Sequence, residues 1–216
     1  MKAVVYHTDA SIAEKFPKDT YKDLLNHLRK NCNDFNIPLV HITVNGFEGY
    51  GNENIYVDAD PENIVWNREK FFIEFLKNSD PNETYFFTEP DSRIKTIFPP
   101  LSTDLAMLYR NVPPHITPAW RLAKKSALPI FEEVFETYNI SNKLWDSDCT
   151  AWHNFFSKLD LSGVGETTYK NLSIELRWYK HYCMKKGKFT CQFKGKSKKD
   201  LHQREKIRDQ NIYYKT

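Results

Sequence analysis

The sequence of 216 residues lacks the features of membrane-spanning and secreted proteins. It has no apolar run near the ~20 residues that a membrane helix needs. Its first residues, 1–9, become polar too soon for a signal peptide. The four cysteines, Cys32, Cys149, Cys183 and Cys191, show no CxxC spacing and no histidines at zinc-ligand intervals. We therefore expect a cytoplasmic protein with reduced thiols and no membrane partner, in the host cytoplasm if the source is viral.

The sequence has almost no net charge, +3, but its charge is distributed unevenly. Residues 177–216 contain 13 Lys or Arg and three acidic residues, so this end carries +10 and the remainder carries −7. A basic end of this kind predicts a polyanionic ligand such as nucleic acid, a diphosphate or an anionic surface. The alternative is a solvated lysine-rich tail that only keeps the protein soluble.

Strand-like and helix-like segments alternate along the first half of the chain. Short β-branched or aromatic runs predict strands at 2–6, 37–44, 54–57 and 84–87. Helical spacing of apolar residues predicts helices at 17–33, 60–76, 126–138 and 145–159. Residues 104–109 follow the fourth strand, and Pro113, Pro114 and Pro118 then indicate a loop. The order predicts a single α/β domain with a mixed, mostly parallel sheet flanked by helices.

Two acid-x-acid triplets stand where predicted strands end. Asp58 and Asp60 follow the third strand, and Glu89 and Asp91 follow the fourth. Ligands of open α/β sheets bind at the carboxyl ends of strands, where paired carboxylates suit a hard divalent cation. For the first pair a helix start is the favoured alternative, because acidic residues are common in the first turn of a helix. For the second pair the metal and loop interpretations are equally supported by these residues alone.

The order of several segments resembles that of the GT-A nucleotide-sugar glycosyltransferases. The resemblance spans most of the chain and is carried by the segments 4–9, 67–70, 86–91, 104–110, 116–121, 126–131, 145–148 and 192–198. It implies a single Rossmann-like glycosyltransferase domain over 1–216. Residues 1–110 would bind the nucleotide sugar and residues 111–176 the acceptor. Residues 177–216 would close over the donor and contact a polyanion.

The resemblance also implies the donor site, with a UDP-sugar as the favoured donor. The residues expected to bind the donor are Tyr6, Thr8, Asp9, Arg68, Glu89, Lys194, Gly195 and Lys198. Arg68 could reach a phosphate or ribose through bidentate hydrogen bonds, and its alternative is an exposed helix arginine. The lysines, with Lys196, would neutralise charge on the diphosphate leaving group.

A divalent metal, Mn²⁺ or Mg²⁺, would be held by Glu89, Asp91 and Gln192 in this resemblance. Two residues depart from the family pattern. Glu89 stands where the family has Asp, and Gln192 stands where a metal-binding His is common. An amide oxygen carries no charge and holds a hard cation more weakly than a carboxylate does, so metal dependence is less firmly implied.

The acceptor side is implied by three aromatic or basic residues and two acids. Trp120, Arg121 and Trp145 are expected to contact the acceptor. If the reaction inverts configuration, the first choice for the general base is Asp148 and the second is Asp146. If configuration is retained, Asp148 would orient the sugar, and Asp146 has the alternative role of a helix cap.

The basic end has more charge than one diphosphate requires, and tyrosines are interleaved with its lysines. This composition favours DNA as the acceptor, with a hydroxymethylated pyrimidine of phage-type DNA as the leading hypothesis. One alternative is a polysaccharide or lipid-linked precursor, and another is a non-catalytic DNA-binding protein. His7, His115 and His153 are expected to be structural, and Trp152 is expected to lie in the core.

Overall fold

The computed structural model describes residues 1–8, 20–61, 63–111, 115–138, 147–159, 163–179 and 190–192. The first part of the chain contains β1 (Lys2–Tyr6), α1 (Thr20–Asp34), β2 (Leu39–Val44), β3 (Glu53–Val57), α2 (Ile64–Lys77) and β4 (Tyr85–Thr88). The second part contains β5 (Ser92–Ile94), β6 (Leu105–Tyr109), β7 (Ile116–Ala123), a 3-10 turn (Lys125–Ala127), α3 (Leu128–Glu136), α4 (Ser147–Ser157), β8 (Gly165–Tyr169), β9 (Leu172–Trp178) and β10 (Thr190–Gln192). The predicted strands and helices of the first half are confirmed.

Eight strands form one sheet in the order β3-β2-β1-β4-β7-β6-β9-β8. The pairs β3-β2, β2-β1, β1-β4 and β6-β9 are parallel, whereas β7 is antiparallel to both of its neighbours and β8 is antiparallel to β9. Six strands therefore run in one direction, and their carboxyl ends meet at one edge of the sheet. The predicted α/β fold with a mixed, mostly parallel sheet is confirmed.

Alternate residues of the central strands enter two separate cores. In β1, Val4 and Tyr6 join the core that contains the buried faces of α2, α3 and α4. Ala3 and Val5 join the opposite core, which contains Leu25, Leu28 and Cys32 of α1. This alternation is the two-residue period of a strand that is covered on both faces. Among the described helices, none is long and apolar enough to cross a membrane.

The strand β7 was not predicted, because its prolines indicated a loop. It pairs with β4 over Trp120–Ala123 and with β6 on its other side, and the β6 register shifts between Met107 and Leu108. Pro118 lies in the stretch of β7 that the shift leaves without a β6 partner, where its missing N–H removes no ladder hydrogen bond. The hairpin of β8 and β9 was not predicted either.

Candidate active site

The topology predicts a ligand crevice between β1 and β4. The chain continues from β1 to β2 and β3 on one side, and β4 lies on the other side of β1. A reversal of strand order of this kind marks where open α/β sheets bind ligands. The residues next to this point are Thr8, two residues beyond β1, and Thr88, the last residue of β4. Both hydroxyls are buried and have no hydrogen-bond partner among the described residues.

Tyr6, a predicted donor residue, and its neighbour His7 have mainly structural surroundings beside this crevice. Tyr6 is buried and stacks on Phe71 of α2, with ring centroids 5.6 Å apart. Burial raises the pKa of the Tyr6 hydroxyl to about 12 against the opposing effect of Asn67. The ring of Tyr6 thus belongs to the core below the crevice, and its expected contact to a nucleotide stays a prediction. His7 stacks on Tyr21, with ring centroids 4.0 Å apart, which agrees with its predicted structural role.

Arg68 of α2 connects the two acids that the sequence analysis singled out separately. Its Nη1 donates to Glu89 Oε1 at 2.9 Å, and its Nη2 donates to Asp148 Oδ2. Its Nε contacts Glu69 Oε1 at 3.3 Å. Arg68 is buried, so the exposed-helix interpretation is wrong. The expected bidentate contact to phosphate does not fit this geometry either, because all three guanidinium nitrogens already face carboxylates.

Glu69 fixes the position of this arginine from the other side. Arg121 of β7 donates to both oxygens of Glu69, at 2.6 and 3.0 Å, and Trp152 Nε1 donates to Oε2 at 3.3 Å. Burial alone would raise the pKa of the Glu69 carboxyl, but the charges of Arg121 and Arg68 outweigh it and hold that pKa below its usual value. We call Arg68, Glu69, Glu89, Arg121 and Asp148 the charge network.

Asp148 lies in the first turn of α4 and is 3% exposed. Its Oδ1 accepts the backbone N–H of Cys149 at 2.7 Å, and its Oδ2 faces Arg68. Burial raises the pKa of Asp148, and the negative charges of Glu69 and Glu89 add to this rise while Arg68 opposes it. Asp148 is therefore a buried carboxylate with increased proton affinity, and the guanidinium group of Arg68 connects it to Glu89.

Two of the predicted acceptor contacts are wrong. Trp120 is 1% exposed, and its ring lies between Phe86 and Phe98 at centroid distances of 5.8 and 5.7 Å. Arg121 is 0% exposed, and its guanidinium is bound by Glu69. Both side chains belong to β7, which the sequence analysis took for a loop. A strand covered on both faces buries its side chains in turn. Here Trp120 packs between two rings and Arg121 is paired with Glu69, so neither side chain faces an acceptor.

The acid triplet after β4 leads directly into β5. The side chain of Glu89 is 18% exposed, and Asp91 is buried. β10 pairs with β5 in antiparallel register, and Gln192 lies opposite Ser92, the residue after Asp91. The backbone of Gln192 is thus adjacent to the acid triplet. No group of three or more His, Cys, Asp or Glu side chains in the described part of the chain is arranged to hold a metal ion.

The earlier acid triplet has local partners. Asp58 accepts from the side chain of Asn45, and Asp60 Oδ2 accepts from Asn63 Nδ2 at 2.7 Å. The backbone carbonyl of Asp60 accepts from Asn67 Nδ2, also at 2.7 Å. These bonds hold the turn that precedes α2, so the structural alternative for this pair is favoured. The helix itself begins at Ile64, later than predicted.

Several predicted site residues lie outside the described residues. They are Asp9, Trp145, Asp146, Lys194, Gly195, Lys196 and Lys198. Their proposed roles stay predictions.

Glu69 is the residue of the charge network that the sequence analysis missed. It lies three and four positions before Phe72 and Ile73 and is buried with them. The sequence signal that could have identified Glu69 is a carboxylate within the apolar face of a helix, because a carboxylate is buried at such a position only when it has a partner. Its partner Arg121 was noticed, but for another role.

No protein-family model matches the sequence, and no curated protein matches it. Among solved structures, a glycosyltransferase involved in the glycosylation of the major capsid of PBCV-1 superposes with a TM-score of 0.58 at 10% identity, covering 94% of this chain and 100% of that one. The inositol-1-phosphate CTP transferase from T. maritima superposes with a TM-score of 0.54 at 11% identity, covering 100% and 98%. At such identities the likeness concerns the fold. The chain therefore shares its single-domain α/β fold with these two transferases.

Proposed function

We propose that this protein is a glycosyltransferase that moves a sugar from a nucleoside-diphosphate sugar to an acceptor hydroxyl. The observation that carries the proposal is the bridge made by Arg68 between Glu89 and Asp148. It joins an acid triplet at the carboxyl end of a central strand to a buried aspartate on α4. Transfer chemistry of this kind needs one group that stabilises the leaving diphosphate and another that handles the acceptor hydroxyl.

The nucleoside would bind at the crevice between β1 and β4. Burying a hydroxyl without a hydrogen bond costs free energy, and Thr8 and Thr88 each bury one there. A ribose or base could supply the missing partners. Asp9 would contribute a carboxylate to the same ligand, and a UDP-sugar stays the favoured donor.

Glu89 and Asp91 fit a hard divalent cation in ligand type. Carboxylate oxygens are what Mg²⁺ and Mn²⁺ accept, and a cation held by one or two of them keeps positions for water and substrate phosphate. The register of β10 supports Gln192 as a neighbour of this pair. When bound, the metal would supply positive charge for the leaving diphosphate, together with Lys194 and Lys198.

Asp148 would act on the acceptor hydroxyl. Its raised pKa suits a group that takes up a proton, because a general base works best when its pKa approaches the working pH. Oδ1 accepts only one hydrogen bond among the described residues, from Cys149, and a carboxylate oxygen can accept a second. Arg68 acts here as a positioning residue that keeps Asp148 and Glu89 at a fixed separation.

The acceptor that we propose is a hydroxymethylated pyrimidine in DNA. The charge of +10 in residues 177–216 exceeds what one donor diphosphate requires, and the surplus suits the phosphates of nucleic acid. The hydroxymethyl group would supply the hydroxyl that receives the sugar.

The test is mass spectrometry of hydroxymethylated and ordinary DNA after incubation with the protein, Mg²⁺ or Mn²⁺ and a panel of nucleotide sugars. We expect a hexose or pentose mass added only to the hydroxymethylated DNA. Asp91→Asn should abolish transfer, and Asp148→Asn should slow it by roughly 10²–10⁴-fold. Asp58→Asn is the matched control, since this exposed carboxylate is held by Asn45 and should leave the rate unchanged.

Three results would redirect the assignment. Release of nucleoside diphosphate without any DNA product would move the acceptor to a carbohydrate or lipid-linked precursor. Release of pyrophosphate from a nucleoside triphosphate and a sugar phosphate would favour nucleotidyl transfer, the activity named for the T. maritima neighbour. No consumption of any donor, with or without metal, would favour a non-catalytic DNA-binding protein.

A further inference from the structure

Four ring side chains form a continuous cluster beside the ends of β6 and β9. Tyr109 stacks on His115 with ring centroids 5.3 Å apart, and His115 meets His153 at 5.2 Å. Trp178 meets Tyr109 edge-on at 5.6 Å. We call Tyr109, His115, His153 and Trp178 the ring cluster. The contacts bring together residues from β6, α4 and β9 with the residue that precedes β7.

The ring cluster lies at the same edge of the sheet as the acid triplet. Tyr109 and Trp178 are the last residues of the parallel strands β6 and β9 and pair with each other in register. β7 separates β6 from β4, which ends just before Glu89. Two strand spacings, ~10 Å in total, therefore separate β6 from β4 across the sheet. His153 also lies on α4, five residues beyond Asp148.

The ring cluster is half-buried, unlike the other aromatic residues of the central strands. Tyr85, Phe86, Phe87 and Trp120 are all buried in the two cores. Each member of the ring cluster instead keeps part of its surface exposed to solvent. A group of half-exposed rings at the ligand edge of a sheet offers faces on which a flat ligand can stack.

A cation, Arg110, lies next to the ring cluster. Arg110 follows Tyr109, and its backbone N–H donates to the carbonyl of His115 at 2.6 Å. Burial and Asp148 raise the pKa of the Cys149 thiol, and the nearby charge of Arg110 opposes that rise. Arg110 therefore lies close to the first turn of α4. In sequence, four lysines follow Trp178 between residues 180 and 188.

We propose that the ring cluster is the acceptor subsite, on which an unstacked nucleobase of a DNA strand lies with its phosphate at Arg110. Aromatic faces bind bases of any sequence, and neighbouring cations track the backbone phosphates. An enzyme that modifies a base must take that base out of the helix, so a stacking platform beside the reacting groups fits this task. This inference rests on the proposed function and replaces Trp120 and Arg121 as acceptor contacts.

The test is fluorescence anisotropy of a labelled single-stranded oligonucleotide, measured at fixed salt without donor or metal. We expect Trp178→Ala to weaken binding by roughly 5- to 150-fold, the loss associated with one stacked base. Trp178→Phe should keep most of the affinity. Trp66→Ala is the matched control, because Trp66 is also half-buried and packs on Phe135 at 5.4 Å and near Lys70 at 5.7 Å. It should change affinity less than about twofold, since surface sites far from an interface contribute little.

A second substitution tests the proposal independently, in case Trp178→Ala has a folding defect. Arg110→Gln should weaken binding and make its salt dependence shallower, because one phosphate contact is lost. Equal affinities for Trp178→Ala and Trp66→Ala, or no DNA binding by the wild type, would overturn the proposal. Unchanged DNA binding with weakened binding of an oligosaccharide would overturn it in favour of a sugar acceptor. Since the assay contains no donor, a failed transfer reaction leaves this test intact.

Discussion

The charge network and the ring cluster occupy neighbouring parts of the same sheet edge but are built in opposite ways. The network buries two guanidinium groups and the carboxylates of Glu69 and Asp148, and only Glu89 is partly exposed. Arg121 in particular is enclosed by the rings of Phe72, Phe131 and Trp152 at 5.1 to 5.4 Å. The ring cluster contains no charged partner pair and stays half-exposed. The difference indicates a division of labour, in which buried charges set the geometry and open rings meet the ligand.

The buried network has a cost that the ring cluster does not have. Moving ions out of water is unfavourable, and partners repay this only if the geometry is good. Glu69 meets that condition, since Arg121 binds both of its oxygens and Trp152 adds a further donor. Its oxygens are not available for substrate. We therefore expect Glu69 to matter for stability first and for catalysis only through Arg68.

The largest effect is expected from removing one partner of this network. Glu69→Ala leaves Arg121 buried without its counterion, and we expect it to lower the free energy of unfolding by about 3–5 kcal/mol. The measurement is urea denaturation near neutral pH with a reducing agent. Lys170→Ala is the control, because Lys170 binds Glu133 at 3.0 Å from an exposed position and should cost less than about 1 kcal/mol. Equal losses from the two variants would contradict the interpretation of the network.

A second comparison uses two tryptophans, one in each region. Trp152 is buried, meets Phe131 at 5.2 Å and donates to Glu69. Trp152→Ala should lower the unfolding free energy by about 3–5 kcal/mol. Trp178→Ala should lower it by only about 1 kcal/mol, the typical cost of a substitution without a core cavity. If Trp178→Ala proved as destabilising as Trp152→Ala, the ring cluster would be core rather than a binding surface.

The parallel half of the fold could be predicted because its signals are local. Lys2–Tyr6 and Tyr85–Thr88 are short apolar runs, and the helix of Ile64–Lys77 has an apolar period of its own. The strand Ile116–Ala123 could not be predicted from its prolines, since the register shift that accommodates Pro118 is a tertiary feature. The strand Gly165–Tyr169 lies at the edge of the sheet and is mostly exposed, so it lacks an apolar run.

The candidate site could be predicted in part. Glu89, Arg68 and Asp148 could each be identified from the sequence. The contact between Arg68 and Asp148 could not, because these residues are 80 positions apart and no local pattern indicates such a contact. Trp120 and Arg121 were expected at the acceptor from the family resemblance, and the prolines around them indicated a loop instead of a strand. Once β7 is known to be covered on both faces, their burial follows.

The smallest effect is expected on the pH dependence of stability. The charge network and the ring cluster should change the stability in different pH ranges. The pKa of Glu69 is lowered in the folded protein, so its contribution is present above the ordinary value of 4.5 and is lost as the pH falls through the lower folded pKa. Burial and the neighbouring His115 lower the pKa of His153 below 6.5. The unfolded chain then takes up that proton first, and stability falls as the pH drops below 6.5.

Two conservative variants test these two pH ranges, each by comparison of its stability curve with that of the wild type. His153→Gln should flatten the stability curve just below pH 6.5 and leave the acid limb unchanged. Glu69→Gln should flatten only the limb below pH 4.5, after allowance for its lower overall stability. Asp104 and Glu133 also have lowered pKa values, so part of the acid limb should persist in Glu69→Gln. The measurement is the urea midpoint at intervals from pH 8 to pH 3. If both variants changed the same limb, the two regions would titrate as one unit, and the separation drawn between buried charge and half-exposed rings would fail.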